Sequence, residues 1–212
     1  MSEFTPMMQQ YLEIKKDYED TILMYRLGDF YETFFDDARV ASKELELVLT
    51  GRACGNEEKA PMCGVPFHSA DTYIARLVSR GYKVAVCEQT EDPATAKGIV
   101  KRDVVRIVTP GTVIENLMLD ESKNNYLASI YIVDSQVGMC FADVSTGKLS
   151  LTSIEKKKYD NDVINELSRF APSEVIVNGR VKESNRLVSF ISGLANSTCD
   201  ILPDNEFDFE SC

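Results

Sequence analysis

The chain has 212 residues, of which 44% are hydrophobic and 27% are charged. This balance is typical of a globular protein and excludes an intrinsically disordered one. No apolar run approaches the ~20 residues that a membrane-spanning helix needs, and the first ten residues lack the basic and apolar regions of a signal peptide. Six cysteines are scattered without a CxxC pair, which favours a reduced cytoplasmic chain over a zinc site or a disulfide framework.

The charge is unevenly distributed. The net charge is −11, which by itself argues against a nucleic-acid partner. However, residues 51–107 carry nine Lys or Arg against seven Asp or Glu, while residues 1–50 and 108–212 have net charges of −6 and −7. The sequence therefore predicts that any binding of a polyanion is weak and occurs through the middle segment.

The first half of the chain alternates helix and strand signals. Thr5-Pro6 opens a helix that ends near Tyr18, and Asp36-Asp37 is expected to cap a second helix from Ala38 to Leu47. The remaining predicted elements are a strand at 21–27, a polar loop at 50–56, a turn-rich segment at 60–69, a helix at 70–80, and strands at 82–88 and 102–108. The Thr109–Thr112 turn ends a mixed α/β domain spanning residues 1–112.

A different pattern follows a predicted linker at 113–125. Three strand-like runs separated by tight turns come first, and then a helix, a strand and a helix; the bounds are 126–134, 137–145, 149–154, 160–170, 174–178 and 180–191. Three antiparallel strands followed by α-β-α are the opening order of a ribonuclease H-like domain. The predicted fold class is thus α/β (α+β mixed), with a C-terminally incomplete domain at 126–212.

Met24–Asp37 packs five aromatic and four acidic residues into fourteen positions. If Leu27 to Thr33 is extended, Phe30 and Glu32 share one face, roughly 7 Å apart, and Tyr31 points the other way. Gly28 lets the backbone bend. An aromatic ring beside a hydrogen-bond acceptor suits a flat partner such as a stack of bases. Spacing alone also allows Phe30 as a core aromatic and Glu32 as a solvated acid.

Seven stretches, two of which overlap Met24–Asp37, are distinctive in their order: Thr5–Tyr11, Leu27–Glu32, Asp36–Ala38, Pro61–His68, Cys87–Gln89, Asp92–Ala94 and Val104–Thr112. Together they resemble the start of the MutS family of bacterial DNA mismatch sensors. Residues 126–212 are similar to that family's connector domain, most clearly at Ala142–Gly147. The family continues into a lever, a clamp and an ATPase, and this chain has no GxxxxGK[ST]. The resemblance therefore implies a non-catalytic N-terminal fragment, without the ATP and Mg²⁺ site of the longer protein.

The resemblance also implies roles for single residues. Phe30-Tyr31-Glu32 falls on the family's Phe-x-Glu motif, so Phe30 is expected to stack on a mispaired or unpaired base from the minor groove and Glu32 to hydrogen-bond that base. Glu32 would add discrimination by exclusion, because a carboxylate near phosphates is unfavourable unless it finds a donor or a proton.

Three basic residues are candidates for phosphate contacts, which position a protein on DNA without determining sequence preference. Arg106 lies in a matched stretch, Arg52 lies in a loop that resembles a DNA-contacting loop of the family, and Lys83 rests on charge distribution alone. His68, the single histidine, is expected to have a structural or DNA-proximal polar role.

Two alternatives come from other functional classes. A ribonuclease H-like domain can hold metal ions for nuclease chemistry, with Asp134, Asp143 and either Glu115 or Asp120 as ligands, although Asp143 before Ser-Thr-Gly also suits a turn. Residues 126–212 could instead be a protein-docking module, and the resemblance implies a MutL-type partner there. The resemblance further implies mismatched double-stranded DNA as ligand, a homodimeric longer protein, a monomeric fragment, and a cytoplasmic, DNA-associated location without membrane contact.

Overall fold

The computed structural model describes residues 4–55, 59–92, 94, 96–114, 119, 122–155, 158–194 and 197–208. Two compact units divide between Val108 and Thr109. Each unit has its own mixed sheet with helices, which confirms the predicted fold class. Part of the predicted linker at 113–125 lies outside the described residues, so the boundary at Thr112 stays a prediction. No described helix is both long enough and apolar enough to cross a membrane.

The first unit contains a six-stranded sheet. Its strands are β1 (Ile22–Leu27), β2 (Phe30–Phe34), β3 (Thr50–Ala53), β4 (Lys59–Pro66), β5 (Val84–Gln89) and β6 (Arg102–Val108), and its helices are α1 (Pro6–Asp17), α2 (Phe35–Leu45) and α3 (Ala70–Val78). The strand order is β3-β4-β2-β1-β5-β6. Only β1 and β5 pair in parallel; the other neighbours are antiparallel.

Strands β3 and β4 correct the sequence prediction, which assigned a loop and a turn-rich segment there. The two prolines of β4 suggested turns, yet each lies where β4 is paired with one neighbouring strand only. Pro61 is opposite Gly51 of β3, outside the register with β2, and Pro66 is opposite Phe30 of β2, outside the register with β3. Proline is tolerated at such positions because a missing N–H costs no ladder hydrogen bond on an unpaired side.

The start of α2 also differs from the prediction. The helix begins at Phe35, and Asp37 does not cap it. The Asp37 carboxylate instead points inward, where it accepts a hydrogen bond from the Leu23 N–H at 2.9 Å and pairs with the Lys15 ammonium at 3.0 Å. Burial raises the pKa of Asp37, and these two contacts oppose the rise. The helix ends at Leu45 because Glu46 adopts a left-handed φ of 59°.

The second unit contains a five-stranded sheet. Its strands are β7 (Leu127–Val133), β8 (Gln136–Asp143), β9 (Lys148–Glu155), β10 (Glu174–Asn178) and β11 (Thr198–Leu202), and its helices are α4 (Asp160–Phe170) and α5 (Asn185–Ser192). The order β11-β10-β7-β8-β9, with three antiparallel strands followed by two parallel ones, confirms the ribonuclease H-like arrangement.

Two elements of this unit differ from the prediction. The sequence assigned one helix to 180–191, but a short 3₁₀ helix at 179–183 precedes α5, and Ser184 between them caps α5 by accepting a hydrogen bond from the Leu187 N–H at 3.2 Å. Strand β11 was missed. The polar residues Thr198 and Asp200 interrupt the apolar pattern by which a strand is predicted. Strand β11 nevertheless pairs in parallel with β10 through five residues.

The two units bury their sheets differently. In the first, α1 packs on one face through Met8 and Tyr11, against Tyr25 and Phe34. Helix α2 covers the opposite face, where the backbone carbonyl of Ala38 accepts from the Cys63 thiol. In the second unit, α4 and α5 both pack on the face that carries the alternating core residues of β7, β8 and β10: Ala128, Ile130, Ile132, Val137, Met139, Phe141, Val175 and Val177.

Candidate nucleic-acid interface

The candidate site is built on the hairpin of β1 and β2. Extended backbone from Leu27 to Thr33 was expected, but the chain reverses at Gly28-Asp29, and Leu27 pairs directly with Phe30. Gly28 has a φ of +58°, a left-handed conformation that is most favourable for glycine. The turn therefore places Phe30 at the tip of a hairpin.

The strand alternation predicted for this motif is confirmed. Tyr31 is buried on the α2 face, where its hydroxyl hydrogen-bonds the Glu88 carboxylate; burial and then Glu88 raise the pKa of Tyr31 to about 12. Phe30 and Glu32 lie on the opposite face, which also carries Tyr25, the register partner of Glu32. Phe30 is 47% exposed, unusual for a large aromatic residue. The hairpin therefore holds one aromatic ring out toward solvent.

Glu32 is held by Arg52. The Arg52 Nη1 lies 2.6 Å from the Glu32 Oε2, and the Glu32 side chain is only 15% exposed, against 40% for Arg52. Gly64, the register partner of Glu32 on β4, provides room for this arrangement, because a Cβ there would lie 3.3 Å from the Glu32 Cγ. Phe30, Glu32 and Arg52 thus share one face of the sheet.

A second exposed aromatic flanks the hairpin, and the sequence analysis did not single it out. Phe67 is 42% exposed, and its backbone N–H donates to the Asp29 carbonyl at 2.9 Å. The Arg26 guanidinium carbon lies 3.9 Å from the centre of the Phe67 ring, and the Arg26 Nε donates to the Gly28 carbonyl at 2.5 Å. The cation–π contact and the hydrogen bonds stiffen the turn. An aromatic between Pro66 and His68, outside any apolar periodicity, was the available signal.

The other two basic candidates lie elsewhere. Arg106 pairs in register with Val86 on the α2 and α3 face, and its Nη2 lies 2.8 Å from the Asp71 carboxylate of α3. Lys83 lies 2.8 Å from Asp20, and its carbonyl accepts from Ile22, at the end of β1 remote from Phe30. Five residues of strand separate the two ends, roughly 17 Å. The structure therefore brings Arg52, but neither Arg106 nor Lys83, to the Phe30 face.

The acidic residues proposed for a nuclease do not converge. Asp134 follows β7 and pairs with Arg180 at 3.0 Å, while Asp143 ends β8 beside the start of β7. Six residues of β7 separate these positions, roughly 20 Å. Glu115 and Asp120 lie outside the described residues. Across the described ranges, no group of three or more His, Cys, Asp or Glu side chains is placed to hold a metal ion, so the nuclease alternative has no support.

Asp143 instead stabilises a turn. Its Oδ1 accepts from the Ser145 N–H at 3.1 Å and the Ser145 hydroxyl at 2.6 Å, and its Oδ2 accepts from the Asn124 side chain at 2.6 Å. Burial favours the neutral acid, but these hydrogen bonds and one from Thr146 outweigh it and lower the pKa of Asp143 to about 2. The turn role that the sequence offered as an alternative for Asp143 is the one observed.

Comparison with known families covers both units. The family model described as MutS domain I matches residues 5–117, and the model of MutS domain II matches residues 125–212. These are two consecutive domains of a family of DNA mismatch repair proteins. The chain belongs to the MutS family.

Individual relatives agree. The chain is similar to the DNA mismatch repair protein MutS of Acetivibrio thermocellus, at 58% identity over 92% of the chain and 23% of the relative. The MutS proteins of Ruminiclostridium cellulolyticum and Clostridium botulinum (strain 657 / Type Ba4) are 55% and 58% identical over 99% and 85% of the chain. The chain spans about a fifth to a quarter of the length of these relatives.

Proposed function

We propose that this chain recognises mismatched double-stranded DNA through the Phe30 face, with Phe30 as a wedge in the minor groove and Glu32 as a contact to the mispaired or unpaired base. The observation that carries the proposal is a half-exposed aromatic held at a stiffened hairpin tip beside a carboxylate on the same face. Membership of a family whose curated relatives are named DNA mismatch repair proteins supports it.

The physical basis is deformability. Inserting an aromatic ring between two stacked base pairs unstacks them, which costs a few kcal/mol of free energy, and bends the duplex. A mismatched pair has already lost part of its pairing and stacking, so the same insertion costs less there. A wedge on a hairpin within a six-stranded sheet loses little conformational entropy on binding, because strand pairing already fixes its backbone. Such a site accepts many mismatches and excludes stable pairs.

The three basic candidates differ in where they could contact DNA phosphates. Arg52 is the one best placed to contact a phosphate next to the wedge, since it lies on the same face and is 40% exposed. Phosphate contacts from Arg106 and Lys83 need DNA that extends beyond the Phe30 face, and both remain predictions.

The proposal extends to protein partners and to the assembly of the longer protein. Residues 126–212 dock a MutL-type protein. They have 8 Lys or Arg against 13 Asp or Glu, a net charge of −5, which suits a protein partner better than DNA. In this proposal the 212-residue chain acts as a monomeric, non-catalytic recognition part of a homodimeric cytoplasmic protein. Its matches to MutS domains I and II support the recognition role.

Fluorescence anisotropy tests the proposal. A short duplex with one G·T mismatch or one unpaired T is compared with its matched twin at low salt, using the chain and its Phe30→Ala variant. We expect tighter binding to the mismatched duplex and loss of that preference in the variant. If the chain shows no preference, the measurement is repeated on a chimera in which it replaces the equivalent part of the Acetivibrio relative. A preference that survives Phe30→Ala, or that is missing from both forms, would refute the proposal.

A further inference from the structure

Glu32 has a hydrogen-bond donor before any DNA is bound. Arg52 is on β3 and Glu32 on β2, with β4 between them. Arg52 is in register with Ala60 of β4, and Glu32 with Gly64. The Arg52 side chain must therefore run diagonally over β4 to place its Nη1 2.6 Å from the Glu32 Oε2. On this face of β4 the diagonal runs from Ala60 past Met62, which packs against the core of the first unit, to Gly64.

The ion pair changes what Glu32 does near phosphates. A bare carboxylate is repelled by the DNA backbone, and this repulsion was the predicted source of discrimination. With Arg52 attached, the pair is close to neutral, so a matched duplex meets little repulsion. A mismatched base that offers a donor to Glu32 must instead compete with Arg52 for the same carboxylate. Both effects reduce the difference between the two duplexes.

We infer that Arg52 masks the Glu32 carboxylate on matched DNA, so that it raises affinity for every duplex and lowers selectivity for mismatches. This inference rests on the proposed function and adds to it a residue that sets selectivity. It differs from a plain phosphate contact, which would strengthen binding to both duplexes equally.

The test measures selectivity, defined as the Kd for the matched duplex divided by the Kd for the mismatched one. It uses Arg52→Gln, Glu32→Gln and the double variant, in whichever form of the protein shows Phe30-dependent selectivity. Partly exposed ion pairs are worth up to about 1 kcal/mol. We therefore expect Arg52→Gln to weaken binding to both duplexes while raising selectivity about two- to fivefold. In the Glu32→Gln background the same substitution should leave selectivity unchanged.

Arg39→Gln is the matched control. Arg39 also pairs with a carboxylate at 2.6 Å, that of Asp36, and both residues lie on α2, which covers the opposite face. This variant removes the same charge without touching Glu32, so its selectivity should equal that of the wild type. Thermal unfolding of each variant, with Arg52→Ala as a second substitution, separates loss of binding from loss of fold.

The outcomes separate this inference from the proposed function. Selectivity that rises with Arg52→Gln only when Glu32 is present supports masking. Unchanged or lower selectivity, with both affinities falling together and the salt slope reduced by about 0.9, makes Arg52 an ordinary phosphate contact and overturns the inference alone. If wild-type selectivity is missing or independent of Phe30, the proposed function and the inference fail together.

Discussion

The two sheets expose different kinds of apolar side chain. In the first unit, Phe30 lies at a hairpin tip on the same face as the Glu32–Arg52 pair. In the second, Leu149 and Leu151 on edge strand β9 are 60% and 74% exposed, opposite Ala142 and Cys140 on the sheet face away from α4 and α5. Both faces carry exposed apolar side chains, but of the two only the first combines an aromatic ring with a pair of charged residues.

This difference shows what distinguishes a candidate site from ordinary surface. Singly exposed aliphatic residues are common in soluble proteins and need no functional explanation. The surroundings of Phe30 are less common: a left-handed glycine at the turn, an arginine stacked on the neighbouring aromatic, and a carboxylate on the same face. Several features that each fix position or charge converge there, and we found no such convergence among the described residues of β9.

The largest effect on stability is expected from a substitution that destabilises the second unit alone. Asn178 is fully buried, and its side chain accepts from the Ile132 N–H at 3.0 Å and donates to the Ile132 carbonyl at 2.9 Å. Asn178→Ala leaves both backbone groups unpaired, and we expect a loss of about 2–4 kcal/mol. Urea unfolding followed by circular dichroism should then show an earlier transition for this unit.

The control for this experiment is Asn165→Ala on the exposed side of α4, which should change the unfolding free energy by less than about 0.5 kcal/mol. The comparison of the two units predicts that mismatch preference persists in Asn178→Ala under native conditions. Loss of that preference would mean that recognition depends on the second unit as well.

A smaller effect on the free energy of unfolding is expected from pH, and it has opposite signs in the two units. The pKa of Asp143 is lowered to about 2, so its stabilising contribution is complete above the ordinary carboxyl pKa of about 4 and is lost as pH falls through 2. The pKa of Asp37 is raised, so its contribution is present below about pH 4 and is lost as pH rises through the folded-state pKa. Asp143→Asn should therefore cost about 2 kcal/mol at pH 7 and little near pH 2.

For Asp37→Asn the difference from wild type should shift in favour of the variant as pH rises from about 4 towards neutrality. Unfolding free energies of both variants, measured from pH 2 to 8, check the two signs. Curves that run in the same direction for both aspartates would contradict the assignment of burial as dominant at Asp37 and hydrogen bonds as dominant at Asp143.

The smallest effect is expected on the exposed face of β9. Leu151→Ser removes an apolar side chain that is already 74% exposed, so stability should change by less than about 0.5 kcal/mol and mismatch preference should not change. Phe30→Ser, made in parallel, should abolish the preference with a similarly small change in stability. If Leu151→Ser also reduced mismatch binding, the exposed face of β9 would belong to the interface.

The sequence predicted elements well where periodicity was strong and uninterrupted. The bounds of β6, α4 and β10 match the prediction to the residue, because each has a clear apolar repeat between turn signals. The sequence prediction was wrong where local residue types pointed to another structure. Two prolines suggested turns within β4, and two acids suggested a helix cap where Asp37 is a partly buried ion-pair partner.

The candidate site was predicted only in part. The sequence singled out Phe30 and Glu32 and assigned their shared face, because both depend on local strand alternation. The Glu32–Arg52 pair joins residues 20 positions apart that meet only because β4 inserts between β2 and β3. Residues 50–56 were expected to form a loop and residues 60–69 a turn-rich segment, so no strand pairing was available from which to predict that Arg52 meets Glu32.

The most direct test of the central claim is to detect base unstacking itself. A duplex with 2-aminopurine next to an unpaired T gives low fluorescence while the probe is stacked, and higher fluorescence when the step is opened. We expect the wild-type protein to raise this signal on the mismatched duplex but not on its matched twin. Phe30→Ala should give no rise on either duplex at saturating protein. An equal rise with Phe30→Ala, or no rise with a wild type that still prefers the mismatch, would show that Phe30 is not the wedge.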